Sequence, residues 1–293
     1  MLKRACLLAI FALGVALANS LVAHAAVQPQ NRGLFITPIR EYIKADAGKT
    51  PTGSLTVANI TDKPVTVTLS VEQFSVADYT YDYNFTPVKE DWVKFQTSQL
   101  QLQPNKSKSV SYTIAIPKGA IPGGHYFTIF ASATLTSGPA GSKVRAATVL
   151  YVTVNGQLRE TSAIKKEDIP WISFGNKIDF SFDVRNTGNT HFLIYAAGKL
   201  SGLTTKPANP EVTHVLLPGT VRTIGNTIEP PLLPGVYTAT YGYRTESGQV
   251  ISRSTHILNA PPWSLVIPIG VVWLAILLWK RRNRTKKKAT TDS

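Results

Sequence analysis

Apolar and polar residues alternate with a period of two in a series of short runs: SLTVANI, VTVTLSVEQF, SVSYTIAI, HYFTIFASATL and ATVLYVTV, then IDFSFDV, HFLIYAAGKL, VYTATYGYRT and VISRSTHIL. That period puts successive side chains on opposite faces of a strand, so each run predicts a half-buried strand. The runs are rich in β-branched and aromatic residues and are separated by Gly and Pro turn signals, and no amphipathic helical stretch of useful length interrupts them. An all-β chain of sandwich type follows. At roughly 100 residues per immunoglobulin-like sandwich, residues 32–155 and 160–260 each hold one, giving two in tandem.

An internal repeat supports the division. Val57-Ala-Asn59-Ile-Thr-Asp62 lies over Val184-Arg-Asn186-Thr-Gly188-Asn189, Leu102-Gln-Pro104 over Leu216-Leu-Pro218, and Pro122-Gly-Gly-His-Tyr126 over Pro234-Gly-Val-Tyr237. Asn59, Asn186, Gly188 and Asn189 are predicted turn residues, because Asn and Gly accept positive φ and Asn bonds its own backbone. Tyr126 and Tyr237 are candidate tyrosine corners, in which a ring at the start of a late strand bonds back across the sandwich. The stretch GQLRETSAIKKEDIPW reads as a polar link whose Trp171 packs against the second sandwich.

The ends of the chain carry a different pattern. Lys3 and Arg4 precede an apolar run from Ala5 to Ala18, and the small-residue triplet Ala23-His24-Ala25 follows. This is the form of a secretory leader over 1–25, with the mature chain starting at Ala26. The one cysteine, Cys6, lies inside that leader and too early in it for lipidation, so no disulfide, thiolate metal site or cysteine nucleophile is expected. Trp263 to Trp279 is uncharged and is followed by KRRNRTKKK. As a helix the run is about 25 Å long, and flanking Trp rings and Lys280 extend its reach. A transmembrane helix at 263–280 with a basic cytoplasmic tail at 281–293 is predicted, the bulk of the chain lying outside the cell membrane.

Of the formal net charge of +14, the leader carries +2 and the tail from Lys280 onward +6. The remaining +6 suits an anionic neighbour, or solubility alone. Chemistry-bearing motifs fail on inspection. Ala47-Gly-Lys-Thr50 lacks the first glycine of a phosphate loop, which would fall at Ile43. Ser162-Ala-Ile-Lys165 has Ser-x-x-Lys spacing without its companion motifs. His125, His191, His214 and His256 are scattered, so no nucleophile, base and orienting group can be assembled. Leu217-Pro-Gly-Thr220-Val221 departs from a sortase signal at its last residue and stands far from the apolar span, so it reads as a turn. No catalytic residue, cofactor or metal is expected.

The most unusual stretch is Asp78-Tyr-Thr-Tyr-Asp-Tyr-Asn-Phe85. On an extended strand Tyr79, Tyr81, Tyr83 and Phe85 share one face, which could stack on sugar rings or anchor a protein partner. The alternative is an edge segment that packs its aromatics on the core.

FITPIREYIKADAGKTPTGSLTVANITDKPVTVTLSV and LQLQPNKSKSVSYTIAIPKGAIPGGHYFTIFASA resemble the N-terminal domain of the WxL-interacting surface proteins of Gram-positive bacteria. The order of leader, two immunoglobulin-like domains, span and basic tail is similar too. The resemblance implies peptidoglycan binding by the first domain and partner binding by the second. The expectation is a non-enzymatic, membrane-anchored surface protein that binds cell-wall polymer or another surface protein, with no role for nucleic acid. The alternatives are a tethered chaperone or assembly factor acting by strand addition, and an accessory module of an exported enzyme.

Overall fold

The computed structural model describes residues 33–135, 142–207, 210 and 212–289. The segment expected to be a leader (1–25), with Cys6, and residues 290–293 of the basic tail lie outside this range. Among the described residues the regular structure is strand apart from one C-terminal helix.

The first strand is split between two sheets. β1 (Leu34–Thr37) lies antiparallel to β3 (Thr52–Asn59), and that sheet continues to β8 (Ser107–Ile114) and β6 (Val93–Phe95). After a bend at Pro38 the chain resumes as β2 (Arg40–Ala45), parallel to β10 (Ser142–Val154) in the opposing sheet. β9 (Gly123–Leu135) and β4 (Val65–Val76) follow, with β5 (Tyr83–Pro87) and β7 (Gln99–Leu102) on separate parts of the far edge of β4. Alternation sends Leu55, Val57, Val67, Ile129, Leu150 and Val152 into the shared core.

The same wiring recurs downstream. β11 (Ser162–Asp168) pairs antiparallel with β13 (Ile178–Asn186), which pairs with β17 (Val221–Ile228). β12 (Ile172–Ser173) runs parallel to β19 (Val250–Asn259), followed by β18 (Gly235–Thr245) and β14 (Phe192–Ser201), with β15 (Lys206–Pro207) and β16 (Val212–Leu216) on the edge. A second core of Phe180, Phe182, Ile224, Tyr241 and Ile257 fills this pair of sheets. On the outer face of β13, Asp179 and Asp183 accept hydroxyl bonds from Thr227 and Thr223 directly opposite, at 2.5 and 2.6 Å. The polar half of the alternation is thereby satisfied as well as the apolar half.

The two turns that mark the repeat make matching bonds. Asn59 is fully buried and its Nδ2 donates to Leu102 O, Gln103 O and Lys63 O, while its Oδ1 accepts Thr61 N. Asn186, also fully buried, donates to Leu216 O and Thr190 O and accepts Gly188 N. Each side chain therefore staples the end of its strand to the Leu-x-Pro turn. The reason is not the positive φ expected from the sequence. In these paired turns that conformation falls at Asn105 (φ 56) and Gly219 (φ 75), in the Leu-x-Pro turns, and at none of Asn59, Asn186, Gly188 or Asn189. Gly188 is needed for space, since a Cβ there would lie 1.9 Å from Arg159 O.

Three expectations are corrected. The polar link contains strand β11, whose outward Lys165, Lys166 and Glu167 disguise it. Trp171 does not pack inward but is 73% exposed. Tyr126 is not a tyrosine corner: its hydroxyl meets His191 Nδ1 at 3.4 Å, on the other half of the chain. Tyr237 does bond back, to Leu233 O at 3.1 Å. When Gly123 (φ 140) is matched to Gly235 (φ 156), the residue in the place of Tyr237 is His125, whose Nε2 reaches Ile121 O at 2.9 Å over the same four-residue offset. The extra glycine shifts the sequence match by one.

The helix α1 (Pro262–Ala289) starts directly after β19 and continues through the first part of the basic tail instead of ending at 280. Its segment Pro262–Lys280 has a mean hydropathy of 2.0 and no burial against the sheets.

Candidate functional site

The aromatic run lies at the seam between the two halves and is not a strand face. The chain turns at Asp78–Asp82, with Tyr79 and Tyr81 both at positive φ (66° and 62°), before β5 begins at Tyr83. Left-handed conformations at two tyrosines are costly and persist only where surrounding contacts fix them. Those contacts come from the other half. Tyr79 N–H donates to Val221 O at 2.7 Å, Asp78 Oδ1 accepts Val221 N–H at 2.8 Å, and the Arg222 guanidinium lies 3.7 Å over the Tyr81 ring. Arg222 is itself held by Val215 O at 2.7 Å. Tyr83 stacks on Phe85 and meets Phe74 at a tilt, and Phe85 meets Phe130 edge-on at 5.0 Å. Tyr79 and Phe85 remain partly exposed, at 55% and 39%. The expected common face of Tyr79, Tyr81, Tyr83 and Phe85 therefore does not form. Beneath it Phe74, Val76 and Tyr151 of the first half pack with Val215 and Leu217 of the second.

The other side of the seam is built by Asn189 and His191. Asn189 O accepts Gly124 N–H at 2.9 Å, its Nδ2 donates to Pro122 O and Gln157 O, and its Oδ1 accepts Arg159 N–H. Gly123 allows this approach, since a Cβ there would stand 2.5 Å from Asn189 O. His191 packs among Tyr42, Tyr126 and Tyr151, with ring centroids 5.1–5.8 Å away. Burial, with a smaller push from Lys44, lowers His191 to about 4, so the ring is neutral near pH 7. Burial also raises Tyr126 and Tyr151 above the usual phenol range. Beside them is a cavity of about 160 Å³ with Lys44, Glu160 and Glu246 on its walls. The turn reading of Asn189 missed this bridging role, because one residue's contacts with a distant half leave no local pattern.

Strand edges are the second feature. β10 is paired with β9 along its whole length, but β2 covers only Val149–Val154 on its other side. Among the described residues, no strand is hydrogen-bonded to the outer side of Ser142–Thr148. Val149 N–H donates to Ile39 O and Asn155 N–H to Ala45 O, both toward that side. By alternation the backbone groups of Lys143, Arg145 and Ala147 project into the open edge. The inward residues there, Val144, Ala146 and Thr148, are uncharged, and Val144 and Ala146 are half-buried against the core. The matching edge of β19 is different. Arg253 lies opposite the inward Tyr241 and pairs with Glu167 of β11 at 3.6 Å, setting an inward charge on that edge. Inward charges blunt an edge against further pairing, and β10 lacks one. The sequence held the signal, since the alternation of ATVLYVTV extends back through Ser142-Lys-Val-Arg-Ala146.

No catalytic constellation forms from the candidate motifs. Ser162 lies on a strand and shares its hydroxyl with Tyr243 at 2.9 Å. Gly48 and Lys49 form the turn after β2, and Leu217–Thr220 is a turn closed by Thr220 N–H and Oγ1 on Leu217 O. Among the described residues no group of three His, Cys, Asp or Glu is placed to hold a metal ion.

No family model matches the sequence, and no curated protein is similar to it. Solved structures of similar arrangement include a chaperone–tip adhesin complex of CFA/I fimbriae, at 10% identity over 78% of this chain and 99% of that one, with a TM-score of 0.42. The class 5 fimbriae chaperone CfaA is 13% identical over 78% and 100% of the two chains, with a TM-score of 0.40. The Salmonella enterica SafA pilin–SafB chaperone complex is 15% identical over 78% and 96%, with a TM-score of 0.37. The reading of the chain as a binder of cell-wall polymer is corrected on the geometry of the aromatic run, which turns at Asp78–Asp82 and offers no continuous strand face. Of the four rings, Tyr81 and Tyr83 pack against the seam cluster, while Tyr79 and Phe85 remain exposed.

Proposed function

We propose that this chain is a membrane-tethered assembly factor or chaperone that holds another exported protein by strand addition. The observation that carries this is the edge of β10 over Ser142–Ala147, where among the described residues no strand pairs on the side away from β9 and the inward Val144 and Ala146 are uncharged. A partner's extended segment laid there would gain main-chain bonds from the odd-numbered residues, and Val144 and Ala146 would meet its side chains. In this reading the two halves are immunoglobulin-like domains. The seam holds them as one unit, so that the edge is presented at a fixed angle. The leader exports the chain and α1 retains it in the membrane with its C-terminus inside. Binding needs no enzymatic step.

The test is a photo-crosslinking residue in place of Arg145 in the full chain, in cells, with the adducts mapped by mass spectrometry. Crosslinks to one extended segment of an exported protein, abolished by Ala147→Pro, are expected. Crosslinks that fall only within the chain itself would overturn the reading.

A further inference from the structure

Uncharged segments converge where β19 meets α1. They are Ile169–Asn176, Ser201–Thr205, Pro230–Val236 and Asn259–Trp263, bounded by Asp168, Lys177, Lys206 and Glu229. Backbone and side-chain bonds draw them together. Leu258 N–H donates to Trp171 O at 2.9 Å and Ala260 N–H to Ser173 O at 2.8 Å, on one side of the last strand. On the other side Asn259 Nδ2 donates to Pro231 O and Leu233 O, and Val236 stands directly opposite Leu258. Leu203 lies beside Gly235, its Cδ1 3.9 Å from where a Cβ would be. The large side chains in this group face outward. Leu232 is 83% exposed, Leu203 76%, Trp171 73%, Val236 64% and Phe174 49%. An apolar group of this size on the surface of a water-soluble module calls for an occupant.

We infer that this end of the second half is a collar that enters the headgroup and acyl boundary of the membrane, with Trp171 and Leu232 as its deepest anchors. The inference rests on the reading of α1 as a span. The reason for choosing lipid over a protein partner is covalent. Asn259, at the centre of the collar, is followed within three residues by Pro262, the start of the apolar helix. Three residues reach about 10 Å at most, so any bilayer that receives the helix lies against these side chains. Trp at that depth is favoured because its ring is apolar while its N–H can stay hydrated. Apolar loops without charges can enter the boundary without burying an ion. The collar would fix the tilt of the second half on the membrane, and through the seam the height of the β10 edge.

The cysteine content permits a direct test, since Cys6 is the only cysteine. In a Cys6→Ser background, the full chain is reconstituted into bilayers with an environment-sensitive fluorophore on one of Leu232→Cys, Leu203→Cys, Leu274→Cys within α1, or Thr66→Cys on the exposed face of β4. Bilayers with and without acyl-brominated lipid are compared. Blue-shifted emission quenched by brominated lipid is expected at Leu232, Leu203 and Leu274, and water-like, unquenched emission at Thr66. Water-like emission at Leu232 with quenching at Leu274 would overturn the collar and leave the span. Blue-shifted but unquenched emission at Leu232 would mean that protein covers the patch, which also overturns it. No quenching at Leu274 would overturn the span, and the collar with it.

Discussion

Asp78 Oδ1 accepts the backbone N–H of Val221 at 2.8 Å, joining a turn of the first half to the start of a strand in the second. The neighbouring Tyr79 N–H donates to Val221 O, so a single residue of β17 is gripped on both of its backbone groups. Removing the carboxylate with Asp78→Ala is expected to cost about 1 kcal/mol, the worth of one partly exposed hydrogen bond. Chemical denaturation of the full chain measures it.

Tyr81 and Arg222 should be coupled more strongly than either is to its other neighbours. The guanidinium lies 3.7 Å over the ring, and the buried Tyr81 hydroxyl has no hydrogen-bond partner among the described residues. Tyr81→Phe should therefore be neutral or slightly stabilising, since it removes an unsatisfied polar atom. Tyr81→Ala should cost about 2 kcal/mol, and a double-mutant cycle with Arg222→Ala should return about 1 kcal/mol of coupling.

Acid should loosen the seam. His191 titrates near 4 in the folded chain and at about 6.5 when unfolded, so between those values the unfolded state binds more protons. Stability is fully present above pH 6.5 and declines as pH falls toward 4, by up to about 3 kcal/mol in total. His191→Gln should remove its share of that slope and leave the share of His214, which burial also lowers to about 4, as measured by thermal melts from pH 7.5 to 4.

The repeat asparagines should be unusually sensitive for turn residues. Asn186→Ala strips donors from Leu216 O and Thr190 O at a fully buried position and is expected to cost about 3 kcal/mol. Gly188→Ala should cost about 2 kcal/mol, because the new Cβ would press on Arg159 O. Gly219→Ala, with open space around it but φ 75, should cost only about 1 kcal/mol. Denaturant midpoints for the three variants give the ranking.

Much of this arrangement is legible in the sequence where the physics is local. The alternating runs fall on β3, β4, β8, β9, β10, β13, β14, β18 and β19, because a half-buried strand writes its own period into the chain. Strands with less apolar weight escaped. β11 turns three charged side chains outward in succession, and β17 carries Gly225, where a Cβ would meet Phe180 O at 2.5 Å. The site was less readable than the sheets. Nothing in the residue types of Tyr79 or Tyr81 announces a left-handed backbone, which is held by Val221 and Arg222 together with turn bonds such as Tyr81 N–H to Ala77 O. Asn189 looked like a turn residue because its contacts with Pro122 and Gly124 lie far off in the chain. Trp171 is expected to pack inward as a large apolar ring would, but only its backbone carbonyl is engaged, by Leu258 N–H, and its ring stays 73% exposed.

The open edge of β10 is tested most directly by two neighbouring prolines. The N–H of Ala147 projects to the open side and that of Ala146 to β9, so Ala147→Pro removes a docking donor while Ala146→Pro breaks the internal ladder. Recovery of the exported partner crosslinked at position 145, with the thermal midpoint of each full-length variant, separates the two effects. Ala147→Pro is expected to keep its midpoint within a few degrees of the parent and lose the partner, and Ala146→Pro to melt markedly lower. An Ala147→Pro chain that recovers its partner at the parental level would contradict strand addition at this edge.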